Sequence, residues 1–380
     1  MTTTHKIVIA GAGGIGRAVG LILAEWSDLP LEIAIGDVDS ERADGAAAWI
    51  REDQGGRAAV HSFPMPAEGS DETLERVLAG ADVLLDCLPW SQAVRMAELA
   101  RRHDLHYANL TEHMPSSDRI AEIAEGSSRA FVLQTGLAPG FIDVLGHKLF
   151  QDFCRRHEVD RVESLRLRVG ALPALALPPH YYGFTWNTVG VATEYLEESR
   201  VIRGGELVPR PSLTEVAEVH LGALVLEEAL TSGGAADLPA ALAGRVDSLD
   251  YKTLRYPGHW SWVHDRIAEL QGVDPIAELE AVLLKAIPQV ERDQVVIYAA
   301  VEGLDHAGER HRVDESLIVR PCQVGRHTLR AIQSTTAAGL AESARMLLVD
   351  GLEGVVQQSR IDPEVYLNGP FIRKVYYGEV

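Results

Sequence analysis

Six residues near the start of the chain constrain its fold more than any others: Gly11-Ala12-Gly13-Gly14-Ile15-Gly16. They come directly after a short apolar run at 6–10 and open a helical pattern that continues to about residue 26. Such a turn between strand and helix brings free backbone N–H groups up to a phosphate. Gly11 permits the tight turn, Gly13 lets the backbone approach a pyrophosphate, and Gly16 lets helix and strand pack closely. Gly14 and Ile15 complete the set of expected cofactor-binding residues in the turn. A second apolar run at 32–36 ends next to Asp37. That acid lies 37 − 16 = 21 residues beyond Gly16, near the ~20 expected of a carboxylate that meets a ribose. A carboxylate there favours NAD and repels the 2′-phosphate of NADP. The next cation is Arg42; its folding back onto a 2′-phosphate is the alternative.

Further strands are expected at 82–88, 106–110 and 130–134, with helices at 91–103 and 116–125 between them. Both faces of these strands are apolar, which describes a doubly wound parallel sheet with crossover helices. Ligands of such sheets bind at the carboxyl ends of the strands. That rule selects Cys87, Leu88 and Pro89, then Glu112 and His113, then Gly136. Beyond about residue 141 the texture changes. Residues 162–170 alternate, with Leu165, Leu167 and Val169 facing one way and Arg166 and Arg168 the other. The alternation predicts a half-buried strand with one solvated face. A hairpin is expected from 294–302 and 312–319, loops at 172–190, 203–212, 231–239 and 256–260, and a long small-residue helix over 328–350.

The 380 residues carry 35 Lys plus Arg against 55 Asp plus Glu, a formal net charge of 35 − 55 = −20. That balance argues against general affinity for nucleic acid or an anionic membrane. No apolar run reaches the ~20 residues that span a bilayer, and no signal-length apolar stretch opens the chain. The three cysteines, Cys87, Cys154 and Cys322, form neither a disulfide framework nor a metal set. A cytoplasmic protein without a metal is the simplest expectation.

Three stretches sharpen the reading: Gly136-Leu137-Ala138-Pro139-Gly140-Phe141-Ile142-Asp143, Thr231-Ser232-Gly233-Gly234, and Asp250-Tyr251-Lys252-Thr253-Leu254-Arg255-Tyr256-Pro257-Gly258-His259. With the Gly-rich turn and the helix carrying Thr335, Thr336 and Gly339, they resemble the saccharopine dehydrogenase-like family, and within it the L-lysine 6-dehydrogenase branch. The resemblance implies a Rossmann domain over 1–140 and 328–380. It implies an inserted α+β mixed-sheet domain over 141–327 that binds substrate and carries a dimer contact. It also implies NAD(P)-linked chemistry at a carbon–nitrogen bond. In the lysine branch this is deamination of the side-chain amine; elsewhere it is formation or cleavage of a secondary amine.

Amine oxidation needs a neutral amine, and an alkylammonium has a pKa near ~10.4, so a base must take its proton. His113, His259 and Lys252 are the candidate proton-transfer groups. Glu112 is the candidate partner of the ammonium. Arg255 is the expected carboxylate clamp, since its planar fork matches a carboxylate. Tyr256 and Ser232 complete the expected substrate set. A non-catalytic NAD-binding scaffold is the alternative of a different class. A small amine or amino acid and a second copy of the chain are the expected partners.

Overall fold

The structure is a computed structural model that describes residues 4–52 and 58–379. Met1, Thr2 and Thr3 of the N-terminal stretch lie outside the described residues. The chain divides into two compact units. One comprises Met1–Phe141, Cys322–Leu329 and Gln333–Val380; the other comprises Ile142–Pro321 and Arg330–Ile332.

The first unit is built on a seven-stranded parallel sheet. Its strands are β1 (His5–Ala10), β2 (Leu31–Asp37), β3 (Ala59–Pro64), β4 (Val83–Asp86), β5 (His106–Asn109) and β6 (Ala130–Val132), with Gly354–Val356 added beside β6. The spatial order β3-β2-β1-β4-β5-β6 reverses direction between β1 and β4, the crevice where open α/β sheets take ligands. The crossover helices start where the sequence supplies caps. Asp39 accepts the Arg42 N–H ahead of Ser40–Arg51, and Asp71 accepts the Leu74 N–H ahead of Glu72–Leu78. The apolar residues of β1, β4 and β5 and of helix Trp90–Arg102 share one core with Leu74, Ile120 and Phe131. β3 and Gly354–Val356 escape the apolar pattern of the other strands. The first reads A-V-H-S-F-P with alternating exposure, and the second has only three residues.

The second unit holds an eight-stranded mixed sheet. Its strands are β7 (Val162–Pro173), β8 (Ser199–Arg203), β9 (Glu206–Arg210), β10 (Ala217–Leu221), β11 (Leu224–Leu230), β12 (Val246–Arg255), β13 (Asp293–Leu304) and β14 (Arg310–Val319). β12 and β7 run parallel, and the other pairs are antiparallel. Leu165, Leu167 and Val169 are buried on one face, where Gly146 of helix Phe141–His157 approaches Leu167 so closely that a Cβ would lie 2.3 Å from its Cδ2.

Two expectations need correction. The face of β7 carrying Arg166 and Arg168 is not solvated throughout. Arg168 is buried, bonded to Asp250 (2.6 Å) and Glu228. The segment 203–212 is not a loop but includes the β8–β9 hairpin, turned at Gly204 (φ 63°) and Gly205 (φ 83°). Two consecutive positive φ values make the tight turn whose twist suits a hairpin, and glycine adopts them without strain. Among the described residues no helix is long and apolar enough to cross a membrane.

Candidate functional site

In the first unit the Gly-rich turn closes against the end of β4. Gly11 has φ 100°, and a Cβ there would lie 3.0 Å from the Cys87 carbonyl oxygen. A Cβ on Gly16 would lie 1.8 Å from the Gly11 carbonyl oxygen, so helix and turn touch through this glycine. Gly13 is different: a Cβ there meets nothing within 4 Å. Gly13 also caps helix Gly14–Trp26, with no side chain bonded to the cap and no acid in the first turn. The open face over Gly13 and the uncapped N–H groups fit a dinucleotide pyrophosphate. Asp37 is buried at the end of β2 and accepts the N–H of Ala12 (2.9 Å) and of Asp39 (3.1 Å). Arg42 reaches the same two acids, with its guanidinium nitrogens 3.4 Å from Asp37 and 3.5 Å from Asp39. The structure therefore gathers Gly11, Gly13, Gly14, Ile15, Gly16, Asp37, Cys87 and Leu88 around one end of the sheet.

A buried polar string crosses the strand ends beside this cradle. Asn109 Oδ1 accepts the Gln134 N–H (2.8 Å), Asn109 Nδ2 donates to Tyr107 Oη (3.4 Å), and Tyr107 Oη donates to Asp86 Oδ2 (2.8 Å). Burial pushes the Asp86 carboxyl up to about 6, against the bonds it accepts from Leu88 N–H and Tyr107. Burial, and then Asp86, push the Cys87 thiol up, so it is not a thiolate at neutral pH. Asp86 and Asn109 are the last residues of β4 and β5. The strand-end rule points to the residues just after them and passes over both. Gly136 belongs to the neighbouring turn. Helix Ala331–Val349 comes so near it that a Cβ on Gly339 would lie 2.5 Å from the Gly136 carbonyl oxygen. Gln333, which no motif singles out, sends Nε2 to the Gly14 carbonyl at 3.4 Å.

His113 and Trp90 meet at the strand ends, their rings stacked at 4.1 Å and 26°. His113 is the N-cap of helix Met114–Ala124, and its Nδ1 lies 2.7 Å from Ser116 Oγ and 3.3 Å from Ser116 N. These contacts define two tautomers. With Nδ1 protonated and donating to Ser116 Oγ, Nε2 carries the lone pair a base needs. With the proton on Nε2, Nδ1 accepts the Ser116 N–H as a helix cap. Glu112, half-buried, precedes it at the end of the same connection.

In the second unit Arg255, at the end of β12, is 1% exposed. Its Nε donates to Tyr195 Oη (3.0 Å), and one terminal nitrogen donates to the Leu254 carbonyl (3.0 Å). The guanidinium lies 4.4 Å from the Tyr182 ring centre and within 6 Å of those of Tyr195 and Trp260. It is acted on through space by the acid Glu194. Burial opposes its charge, but Tyr195, Tyr182 and Glu194 face it and raise its pKa, so it remains a cation. Burial, and then Arg255, lower His259 to about 3. Its Nδ1 donates to the His180 carbonyl (2.6 Å), so Nε2 accepts from Tyr195 Oη (3.0 Å). His259 is thus a neutral acceptor and a very weak base. Ser232 lies in the same unit: its N–H bonds to the Glu194 carbonyl (3.1 Å), next to Tyr195. Tyr195 and Glu194, on helix Thr188–Leu196, are signalled by no motif.

Lys252 and Tyr256 are not brought to Arg255. Lys252 is three residues away on a strand of period two, so it faces the other side of the sheet. There its Nζ donates to Glu228 (3.0 Å) and to the Glu215 carbonyl (2.6 Å), beside Arg168 and Arg203. Tyr256 Oη donates to the Pro173 carbonyl (3.1 Å) and accepts from Gln294 (3.1 Å).

Known proteins share this architecture. A family model described as the saccharopine dehydrogenase NADP binding domain matches residues 7–129. A second, the saccharopine dehydrogenase C-terminal domain, matches residues 136–375. Among solved structures, apo histidine-tagged saccharopine dehydrogenase (L-Glu forming) from Saccharomyces cerevisiae aligns at 15% identity. The alignment covers 97% of this chain and 96% of that one, with a TM-score of 0.74. A homospermidine synthase from Legionella pneumophila in complex with NAD aligns at 12% identity, covering 100% and 91%, with a TM-score of 0.67. At these identities the two structures bear on the fold alone.

Proposed function

We propose a substrate for this chain, which belongs to the saccharopine dehydrogenase family of nicotinamide-binding oxidoreductases: it oxidatively deaminates the side-chain amine of L-lysine or of a related amino acid, with NAD. The observation that carries this reading is Arg255, a buried guanidinium held by aromatic rings and the Tyr195 hydroxyl, with Glu194 acting on it through space. These neighbours keep the guanidinium charged, and an incoming carboxylate in bidentate geometry would add charge-assisted hydrogen bonds to it. The aromatic faces of Tyr182, Tyr195 and Trp260 hold the guanidinium flat, and Tyr195 fixes Nε.

When bound, NAD would supply the hydride acceptor for the carbon bearing the amine. The Gly11–Gly16 turn would hold its pyrophosphate, and Asp37 the adenosine ribose. For the proton we assign His113 Nε2, in the tautomer whose Nδ1–H donates to Ser116 Oγ. Glu112 supports the positive amine before it loses that proton. His259 is a poor base while burial and then Arg255 hold it near 3; it positions Tyr195, which in turn positions Arg255. Lys252, committed to Glu228 on the far face, has a structural role.

A second reading, formation or cleavage of a secondary amine, is favoured by the names of the two structural relatives, a saccharopine dehydrogenase and a homospermidine synthase. NADH consumption with an amine plus a keto acid, but no NADH formation from any amine alone, would select it. No turnover in either assay, with tight NAD binding, would leave a scaffold. We further propose a homodimer formed through the second unit, whose edge strand β14 exposes Ile318. Sedimentation should give twice 41.4 kDa; a concentration-independent single chain would refute it.

A further inference from the structure

Among the described residues one cluster outside the proposed site has the makings of a metal centre: His157, Asp305 and His311. One ligand atom from each lies within 4.8 Å of the others. His157 ends helix Phe141–His157, Asp305 comes directly after β13, and His311 is the second residue of β14. The two imidazoles stack at 4.3 Å and 22°. All three residues are half-buried, and Asp305 and His311 keep 14% and 35% of their side chains exposed.

Asp305 is fixed by the turn that follows it. Its Oδ1 accepts the N–H groups of Ala307 and Glu309, both at 2.9 Å. Its Oδ2 therefore points at His311, 2.9 Å from Nε2. The bond from the Glu309 N–H, with His311 next, keeps the carboxyl well below its usual range, so it is an anion at neutral pH. The His157 carbonyl accepts the His306 N–H (3.3 Å), which ties the helix end to the turn.

We propose that His157, Asp305 and His311 bind one divalent cation of the zinc type, which clamps the end of helix Phe141–His157 to the β13–β14 turn. Two imidazole nitrogens and one carboxylate oxygen suit Zn²⁺, Co²⁺ or Ni²⁺, whereas Mg²⁺ and Ca²⁺ take oxygen ligands. Donors at about 2.0–2.2 Å from a zinc ion stand roughly 3–3.5 Å apart. The Asp305–His311 pair, hydrogen-bonded at 2.9 Å, has to open by about half an ångström to admit the ion, and the third ligand atom, from His157, lies within 4.8 Å of both. Water would take the fourth position. Cysteine spacing could not reveal this set, because His157 and Asp305 are 305 − 157 = 148 residues apart.

The test uses the full chain without a histidine tag, stripped with chelator and titrated with zinc chloride by calorimetry. One equivalent should bind, and His157→Gln, His311→Gln and Asp305→Asn should each weaken it by about tenfold or more. Affinity for NADH should not change in any variant. Should a variant fail to fold, the wild-type chain still decides the matter. Zinc, but not magnesium, should protect His157 and His311 from diethylpyrocarbonate, read by peptide mass spectrometry. No zinc uptake at micromolar concentration, wild-type titrations in the folded variants, or equal modification with and without zinc would each overturn the site.

Discussion

Arg255 and His259 share Tyr195 and settle into opposite charge states: the guanidinium stays charged and the imidazole stays neutral. These states set a pH dependence of stability. An unfolded histidine takes a proton near 6.5, whereas folded His259 does not until about 3. Between those values the unfolded chain binds more protons, so this group's contribution to stability is full above 6.5 and is lost as pH falls toward 3. His259→Gln keeps a donor and an acceptor but does not titrate. The drop in Tm from pH 7 to pH 5 should therefore be smaller in that variant than in the wild type. At the proposed base, His113→Ala should lower kcat by ~10²–10⁴-fold with little effect on NAD affinity. Ser116→Ala removes the Oγ contact to His113 Nδ1 and should lower kcat with little effect on NAD affinity; an unchanged kcat would take Ser116 out of the positioning of His113. Asp37→Ala should weaken NAD and narrow its advantage over NADP; an unchanged preference in titrations of both would remove Asp37 from the ribose.

At the scale of elements, the glycines of the first turn divide into two kinds. Gly16 has the Gly11 carbonyl against it, and Gly13 has open space. Gly16→Ala should cost stability, by about 1–3 kcal/mol as for an overpacked site. At Gly13 the backbone is extended (φ −70°, ψ −169°), a conformation that alanine adopts freely. Gly13→Ala should leave Tm unchanged and lower NADH affinity roughly tenfold, since only an approaching phosphate would meet the new methyl. Thermal melts and NADH fluorescence titrations separate the two. The parallel sheet was legible because β1, β2 and β4 are apolar on both faces and the Gly-rich turn dictates a helix directly after β1. β3 and Gly354–Val356 were not, being short or half-polar strands recruited by neighbours already in place. The β8–β9 hairpin had a readable signal in Gly204-Gly205, masked by the polar, proline-containing strand after it. Arg168 misled for another reason. Alternation reports which residues share a face, but not whether acids from β11 and β12 will cover that face.

At the scale of the whole molecule, the family and its two-part architecture were readable from the order of three motifs along the chain. The candidate site was only half readable, because each motif names a stretch while the fold sorts its members. The stretch 250–259 sends Arg255 and Lys252 to opposite faces, and the partners that define Arg255, Tyr195 and Glu194, come from a helix about sixty residues earlier with no motif of its own. The central claim is that a carboxylate-bearing amine is oxidised with NAD, and that Arg255 recognises the carboxylate. The most direct measurement is the initial rate of NADH formation from L-lysine and from 1,5-diaminopentane, which lacks the carboxylate, by wild-type protein and by Arg255→Ala. The wild type should prefer the amino acid in kcat/KM, and Arg255→Ala should lose about 10–100-fold on it while changing little on the diamine. NADH formation from neither amine, or the same preference in both proteins, would contradict the account.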